Sequence, residues 1–61
     1  MSDQRLFALV IEHVACARRC TARDMHYVSS LYTEWAREYA SRIKGAALKS
    51  EALSKMVEKT P

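Results

Sequence analysis

The stretch that decides the fold runs from Thr21 to Ile43 and reads TARDMHYVSSLYTEWAREYASRI. Apolar and aromatic side chains recur in it at steps of 3, 1, 3, 4 and 4 residues, at Val28, Leu31, Tyr32, Trp35, Tyr39 and Ile43. Such steps keep side chains on one stripe of an α-helix. A helix cannot bury a side chain as large as an indole by itself. The stripe therefore predicts a second apolar surface packed against it.

The chain is long enough for one small domain only. Below roughly 70–80 residues a single core seldom contributes more than about 3–5 kcal/mol of stability, and this chain has 61 residues. Its 49% hydrophobic content is typical of a folded protein. One Gly and one Pro supply too few turns for a multistranded β fold. We therefore predict an all-α fold in which residues 1–61 form a single helical domain.

The charge and composition of the chain indicate where in the cell the protein is expected and which kinds of partner it is expected to bind. The net charge of +3 is mildly basic, whereas a nucleic-acid binder of this size more often carries a denser basic face. The opening MSDQR does not resemble a signal peptide, and no stretch reaches the roughly 20 apolar residues of a membrane span. Two cysteines without a leader indicate free thiols. We expect a cytoplasmic protein without a membrane partner.

The first helix is predicted at about residues 3–20. Ser2 and Asp3 are favourable N-cap residues directly before an apolar segment. Arg18 and Arg19 lie in the last turn, where cations favour the negative end of the helix dipole. The predicted inner side of this helix carries Leu6, Phe7, Val10, Ile11, Val14 and Ala17.

The second helix is predicted at about residues 22–44. The string Thr21-Ala-Arg-Asp24 resembles a capping box in which the Thr21 hydroxyl accepts from the backbone N–H of Asp24. The connection it implies is short, and short connections join antiparallel neighbours. The sequence thus predicts an antiparallel helical hairpin with a long second helix.

Gly45 leaves the end of that helix open. It can cap the second helix so that a third restarts after it, or the helix can continue through it to about residue 58. Apolar positions after it, at Ala46, Leu53 and Val57 with Ser50 between them, continue a nearly heptad pattern. This pattern favours the continuous helix.

Two packed helices of this size leave apolar side chains uncovered. A first helix of about 18 residues is roughly 27 Å long and covers the second helix only to about Tyr39. The remainder must fold back at Gly45, project, or meet another chain. Pairing of two hairpins into a dimer resembling a four-helix bundle would cover it. The predicted interface consists of Val28, Leu31, Tyr32, Trp35, Tyr39, Ile43, Leu53 and Val57.

The polar side chains indicate two alternative functions to be weighed against the apolar interface, namely metal binding and phosphate binding. Four side chains are of the types that bind zinc in proteins, namely His13, Cys16, Cys20 and His26. Their spacing, however, is not that of a structural zinc site. Solvated histidines and semi-buried thiols are the favoured interpretation, so we expect no metal. A cluster near the turn, Arg18, Arg19 and Arg23, can contact phosphate, although charges at a helix end and in a solvated loop are the favoured interpretation.

No catalytic constellation is present. Glu12 and His13 are neighbours in sequence and point to different sides of a helix, and no Gly-rich phosphate loop exists. We expect a protein that is not an enzyme and has no cofactor.

The run LVIEHVACARRCTARDMHYVSSLYTEWA resembles small early proteins of lambda-like bacteriophages that are encoded between the recombination and excision genes. The resemblance implies an all-helical accessory protein, or regulator, that acts on a host protein in the host cytoplasm. Together with the stripe it predicts a protein–protein interaction module that self-associates. The alternative is a nucleic-acid-binding accessory protein that uses the basic turn and tail.

Overall fold

The computed structural model describes residues 1–57 and folds them into three α-helices. They are α1 (Asp3–Ala22), α2 (His26–Ser41) and α3 (Ala46–Val57). The predicted all-α fold class is confirmed. None of these helices is both long enough and apolar enough to cross a membrane.

The start of α1 lies where the sequence predicts it. Ser2 is extended, and its Oγ accepts a hydrogen bond from the backbone nitrogen of Arg5 at 3.2 Å. Its carbonyl also accepts from the nitrogen of Leu6 at 3.0 Å. The Ser2 side chain thus satisfies an N–H group of the first turn that has no acceptor within the helix, and the Ser2 carbonyl accepts the first helical hydrogen bond.

The turn after α1 corrects the predicted capping box. Thr21 belongs to α1, and its carbonyl rather than its hydroxyl accepts from the nitrogen of Asp24, at 3.1 Å. The nitrogen of Met25 reaches the carbonyl of Cys20 at 2.8 Å, and Asp24 adopts a left-handed φ of 62°. These are the two hydrogen bonds of a Schellman motif. The motif ends α1 at Ala22, so α2 begins at His26 rather than at residue 22.

The second helix is shorter than predicted, and the continuous helix through Gly45 is wrong. α2 ends at Ser41, and the nitrogens of Arg42 and Ile43 bond to carbonyls three residues back, at 3.1 and 3.2 Å. The carbonyl of Gly45 accepts from the nitrogen of Lys49 at 2.9 Å, so Gly45 opens α3 instead of capping α2. The chain therefore folds back, while the predicted helix end near residue 58 lies outside the described residues.

Contacts along the helices fix their directions. Ser29 contacts Ala17 near the turn, and Tyr32 contacts His13 further from it. Gly45 contacts Asp3 at the opposite end of the molecule. The end of α1 therefore contacts the first turn of α2, and α3 starts beside the start of α1.

The core is built largely from small side chains. Seven side chains of the described part are buried: Leu6, Val10, Ala17, Ala36, Ala40, Ile43 and Ala52. Four of them are alanines, which let the helix backbones approach closely but bury little apolar area each. α3 contributes Leu48, Ala52 and Met56 to this core. Ala46 and Leu53, two positions of the predicted apolar pattern, are exposed and lie outside this core.

Candidate functional site

Four rings from two helices, α1 and α2, form a cluster. The His13 ring of α1 lies 5.8 Å from the Tyr32 ring, 6.2 Å from the Trp35 ring and 5.2 Å from the Tyr39 ring, measured between centroids. Tyr32 and Trp35 also meet edge to face at 5.5 Å and 84°. We call the surface formed by His13, Tyr32, Trp35 and Tyr39 the aromatic face.

The local sequence explains why the α2 rings meet. Tyr32, Trp35 and Tyr39 are separated by three and four residues, which places them on adjacent turns of one helix side. Edge-to-face pairs within 4.5–7 Å contribute about 0.5–1.5 kcal/mol beyond area burial. The rings therefore hold one another in place.

His13 is anchored by its own helix. Its Nδ1 lies 2.7 Å from the carbonyl oxygen of Leu9. A carbonyl only accepts hydrogen bonds, so Nδ1 carries the proton and donates it. This bond fixes the plane of the imidazole, against which the three α2 rings pack. α1 thereby supplies a rigid partner for rings that belong to α2.

The aromatic face remains open after all three helices have folded. The Trp35 side chain is 48% exposed, and His13, Tyr32 and Tyr39 are half-buried. The indole and the three half-buried rings thus form one contiguous aromatic surface that solvent reaches.

Charges of both signs border this face beside Tyr39. The guanidinium of Arg42 lies 6.0 Å from the centre of the Tyr39 ring. The same group lies 3.5 Å from Glu38, and both partners are more than half exposed. A pair of this kind contributes little to stability, but it gives the rim a polar edge.

The structure brings together only part of the predicted interface. Val28 and Leu31 are half-buried on α2. Ile43 is 2% exposed and lies in the internal core, so it does not contribute to the surface. Leu53 is 41% exposed on α3. Val57 is the last residue of α3, and its side chain lies outside the described part of the molecule.

His13 is the member of the aromatic face that the sequence reasoning missed as a ring partner. Leu6, Val10, His13 and Ala17 follow steps of 4, 3 and 4 residues, which is the spacing of a buried stripe. That pattern places the imidazole toward α2. The expectation that His13 is solvated rests on its polar side chain and does not take account of its position in this stripe.

The four residues considered for zinc are not assembled into a site. His13 is engaged with Leu9, and Cys16 Sγ accepts from Arg19 Nη2 at 3.2 Å. His26 lies beyond the turn, with its Nε2 3.6 Å from a carboxylate oxygen of Asp24. Within residues 1–57 no group of three or more His, Cys, Asp or Glu side chains is placed to hold a metal ion.

The three arginines considered for phosphate lie at or after the end of α1 and are all exposed. Arg18 lines a groove between the helices, whereas Arg19 contacts Cys16. Arg23 is the C-cap residue of α1. Phosphate binding by these residues stays a prediction.

Comparison with models of protein families, with curated proteins and with solved structures found no match for this chain.

Proposed function

We propose that this protein is a helical protein–protein interaction module that self-associates through the aromatic face. The observation that carries the proposal is the exposure of Trp35, 48%, in a molecule whose core is filled mainly by alanines. The largest side chain lies on the surface while the smallest ones lie inside. Covering that indole in an interface would bury further apolar area.

The organisation of the rings supports binding rather than chance exposure. Trp and Tyr are the residues most often found at the energetic centre of interfaces. Here Trp35 is held edge to face against Tyr32, and His13 is fixed by its bond to Leu9. Side chains that are already ordered lose little conformational entropy on binding. The aromatic face is therefore pre-organised for a partner.

A second copy of the chain is the partner we propose first. In a twofold dimer each Trp35 would pack on the partner's rings, and α1 and α2 of both copies would form a four-helix arrangement. Such an association adds the core that a short chain lacks. The resemblance to phage early proteins extends the proposal to a host protein, in the host cytoplasm, that would bind the same face.

The test is the molecular mass in solution between about 5 and about 500 µM, a range suited to a modest interface. We expect a shift from monomer to dimer. Trp35→Ala should weaken dimerisation by at least about thirtyfold, since a central Trp contributes about 2 kcal/mol or more. Tyr27→Ala is the matched control, because Tyr27 is 77% exposed and makes no ring contact within the described residues.

Two outcomes would contradict the proposal. One is a wild-type protein that stays monomeric over the whole range. The other is an equal effect of Tyr27→Ala and Trp35→Ala. Added salt separates the nucleic-acid alternative, because phosphate binding weakens steeply with salt whereas an apolar interface does not. Circular dichroism of both variants establishes that they keep their helices.

A further inference from the structure

Two free thiols lie one turn apart on α1, near its C-terminal end. Cys16 and Cys20 are both half-buried and belong to no disulfide. They have the i, i+4 relationship that brings two side chains together on one side of a helix. The proposed self-association uses the rings of the aromatic face and gives these thiols no role. Two thiols held as neighbours form a pair of ligands, which a single cysteine does not.

The helix holds the two cysteines too far apart for a direct sulfur–sulfur bond. Cβ atoms at i and i+4 are about 5–6 Å apart, whereas those of a disulfide are about 3.5–4.5 Å apart. An ion between the sulfurs relaxes this requirement, because two metal–sulfur bonds of about 2.3 Å allow the sulfurs to lie up to about 4.6 Å apart. The regular helix Asp3–Ala22 therefore favours a shared metal ion over a disulfide within the pair.

The number of ligands selects the kind of ion. Within residues 1–57 no group of three or more His, Cys, Asp or Glu side chains is placed to hold a metal, so Cys16 and Cys20 would be the whole ligand set. Structural zinc sites take four ligands. Thiolates are soft ligands that select Cu(I), and two of them satisfy this univalent ion. The pair thus suits Cu(I) and lacks the further ligands that Zn²⁺ requires.

A cation beside the pair can balance the charge of the bound form. Nη2 of Arg19 donates a hydrogen bond to Sγ of Cys16 at 3.2 Å. Binding of Cu(I) releases one proton from each thiol. The two thiolates and the univalent ion then carry a single net negative charge. Because a guanidinium is always positively charged, Arg19 is placed to compensate it as an outer partner rather than as a ligand.

We propose that Cys16 and Cys20 bind one Cu(I) ion per chain through both thiolates, with Arg19 as the neighbour that balances the charge. Neither histidine of the zinc set considered from the sequence takes part. All three side chains belong to α1, so the site is complete in one copy of the chain. It therefore does not depend on the proposed self-association.

Competition with a coloured chelator tests the proposal. The protein is added, without oxygen, to Cu(I) held by bicinchoninate, and the loss of colour gives the amount and affinity of the copper transferred. We expect one Cu(I) per chain, and X-ray absorption should show two sulfur neighbours. Cys16→Ala and Cys20→Ala should each lower the affinity by at least about a hundredfold, more than the loss of an outer partner. Alanine favours the helix, and circular dichroism checks that both variants keep it.

Two arginine variants test the outer partner. Arg19→Gln removes the guanidinium beside Cys16 and should weaken Cu(I) binding by about tenfold. Arg23→Gln is the matched control, because it removes the same charge from the exposed C-cap position of α1. It should change the affinity by less than about twofold, as expected of an exposed charge without a contact to the site.

Four results would overturn the proposal. The first is a protein that takes no Cu(I) from bicinchoninate. The second is one ion held between two chains, because the two ligands would then come from different helices. The third is equal affinity of the wild type and either cysteine variant. The fourth is binding of Zn²⁺ as tight as that of Cu(I). None of these results bears on dimerisation through Trp35, so the two proposals fail separately.

Discussion

The carboxylate of Asp3 accepts a hydrogen bond from the backbone nitrogen of Gly45 at 3.0 Å and joins the starts of two helices. Its other oxygen accepts from the nitrogen of Lys44 at 3.1 Å. Asp3 lies in the first turn of α1, and Gly45 directly precedes α3. Because both helix N-termini carry partial positive charge, one carboxylate stabilises two helix starts. The contact fixes where α3 leaves the end of the hairpin.

This contact makes stability depend on pH. The hydrogen bonds from the nitrogens of Lys44 and Gly45 lower the pKa of Asp3 below its ordinary value of 3.8. The unfolded chain therefore binds more protons in the acid range, and the contribution of Asp3 is complete above pH 3.8 and is lost as the pH falls below it. Asp3→Asn should lower stability at neutral pH and flatten the loss of stability as the pH falls below 3.8. Urea titrations at several pH values measure both effects.

The backbone of Gly45 lies so close to the Asp3 carboxylate that little room is left for a side chain at position 45. A Cβ added to Gly45 would lie 3.3 Å from Oδ2 of Asp3, tighter than an ordinary contact. If Asp3→Asn and the wild type lost equal stability on acidification, the role assigned to the Asp3 carboxylate would be wrong.

Replacing Asp24 by glycine should increase the stability of the protein. It adopts a φ of 62°, which costs an L residue free energy that glycine avoids. Asp24→Gly should raise the free energy of unfolding by about 0.5–1 kcal/mol, and Asp24→Ala should lower it, because Ala tolerates this region less well than Asp. Thermal melting of the three proteins gives the order Gly, Asp, Ala. Any other order would contradict the Schellman turn.

A hydroxyl chain stabilises the contact between α1 and α2 near the turn. The Oγ of Ser29 donates to the carbonyl of Ala17 at 3.0 Å, so the hydroxyl of Thr21 must be the donor in its 2.6 Å contact with Ser29. Ser29→Ala should cost about 1 kcal/mol or slightly more, since it removes both bonds. Ser30→Ala, at an exposed neighbouring position, should change stability by less than about 0.5 kcal/mol.

The alanine core should not accept larger side chains. Ala36 is 0% exposed and sits where α2 packs on the core. Ala36→Leu should destabilise the protein by about 1–3 kcal/mol, because the helices would have to separate. Ala47→Leu, at an exposed position of α3, is the control and should be nearly neutral. Chemical denaturation of both variants measures the difference, and an equal response would argue against close packing at Ala36.

Local signals in the sequence predicted the features that depend on neighbouring residues. The cap at Ser2 and the joint position of Tyr32, Trp35 and Tyr39 follow from spacing within one helix. The turn was misread because Thr21-Ala-Arg-Asp24 fits a capping box as well as a Schellman end. The backbone conformation of Asp24 distinguishes a capping box from a Schellman motif, and these four residues alone do not determine it.

The remaining differences come from contacts between distant parts of the chain. The role of Gly45 depends on Asp3, 42 residues earlier, so the residues around Gly45 alone cannot reveal it. The same holds for His13, whose ring partners lie on another helix. Ile43 continues the helical spacing of the stripe, yet it is buried because α2 has ended two residues before it.

The chain contains one tryptophan, and that residue belongs to the aromatic face. Indole fluorescence depends on contact with water, and Trp35 is in partial contact with it. A partner that displaced this water would shift the emission to shorter wavelength. The molecule thus contains an intrinsic fluorescent reporter of binding at the aromatic face, and no label is needed.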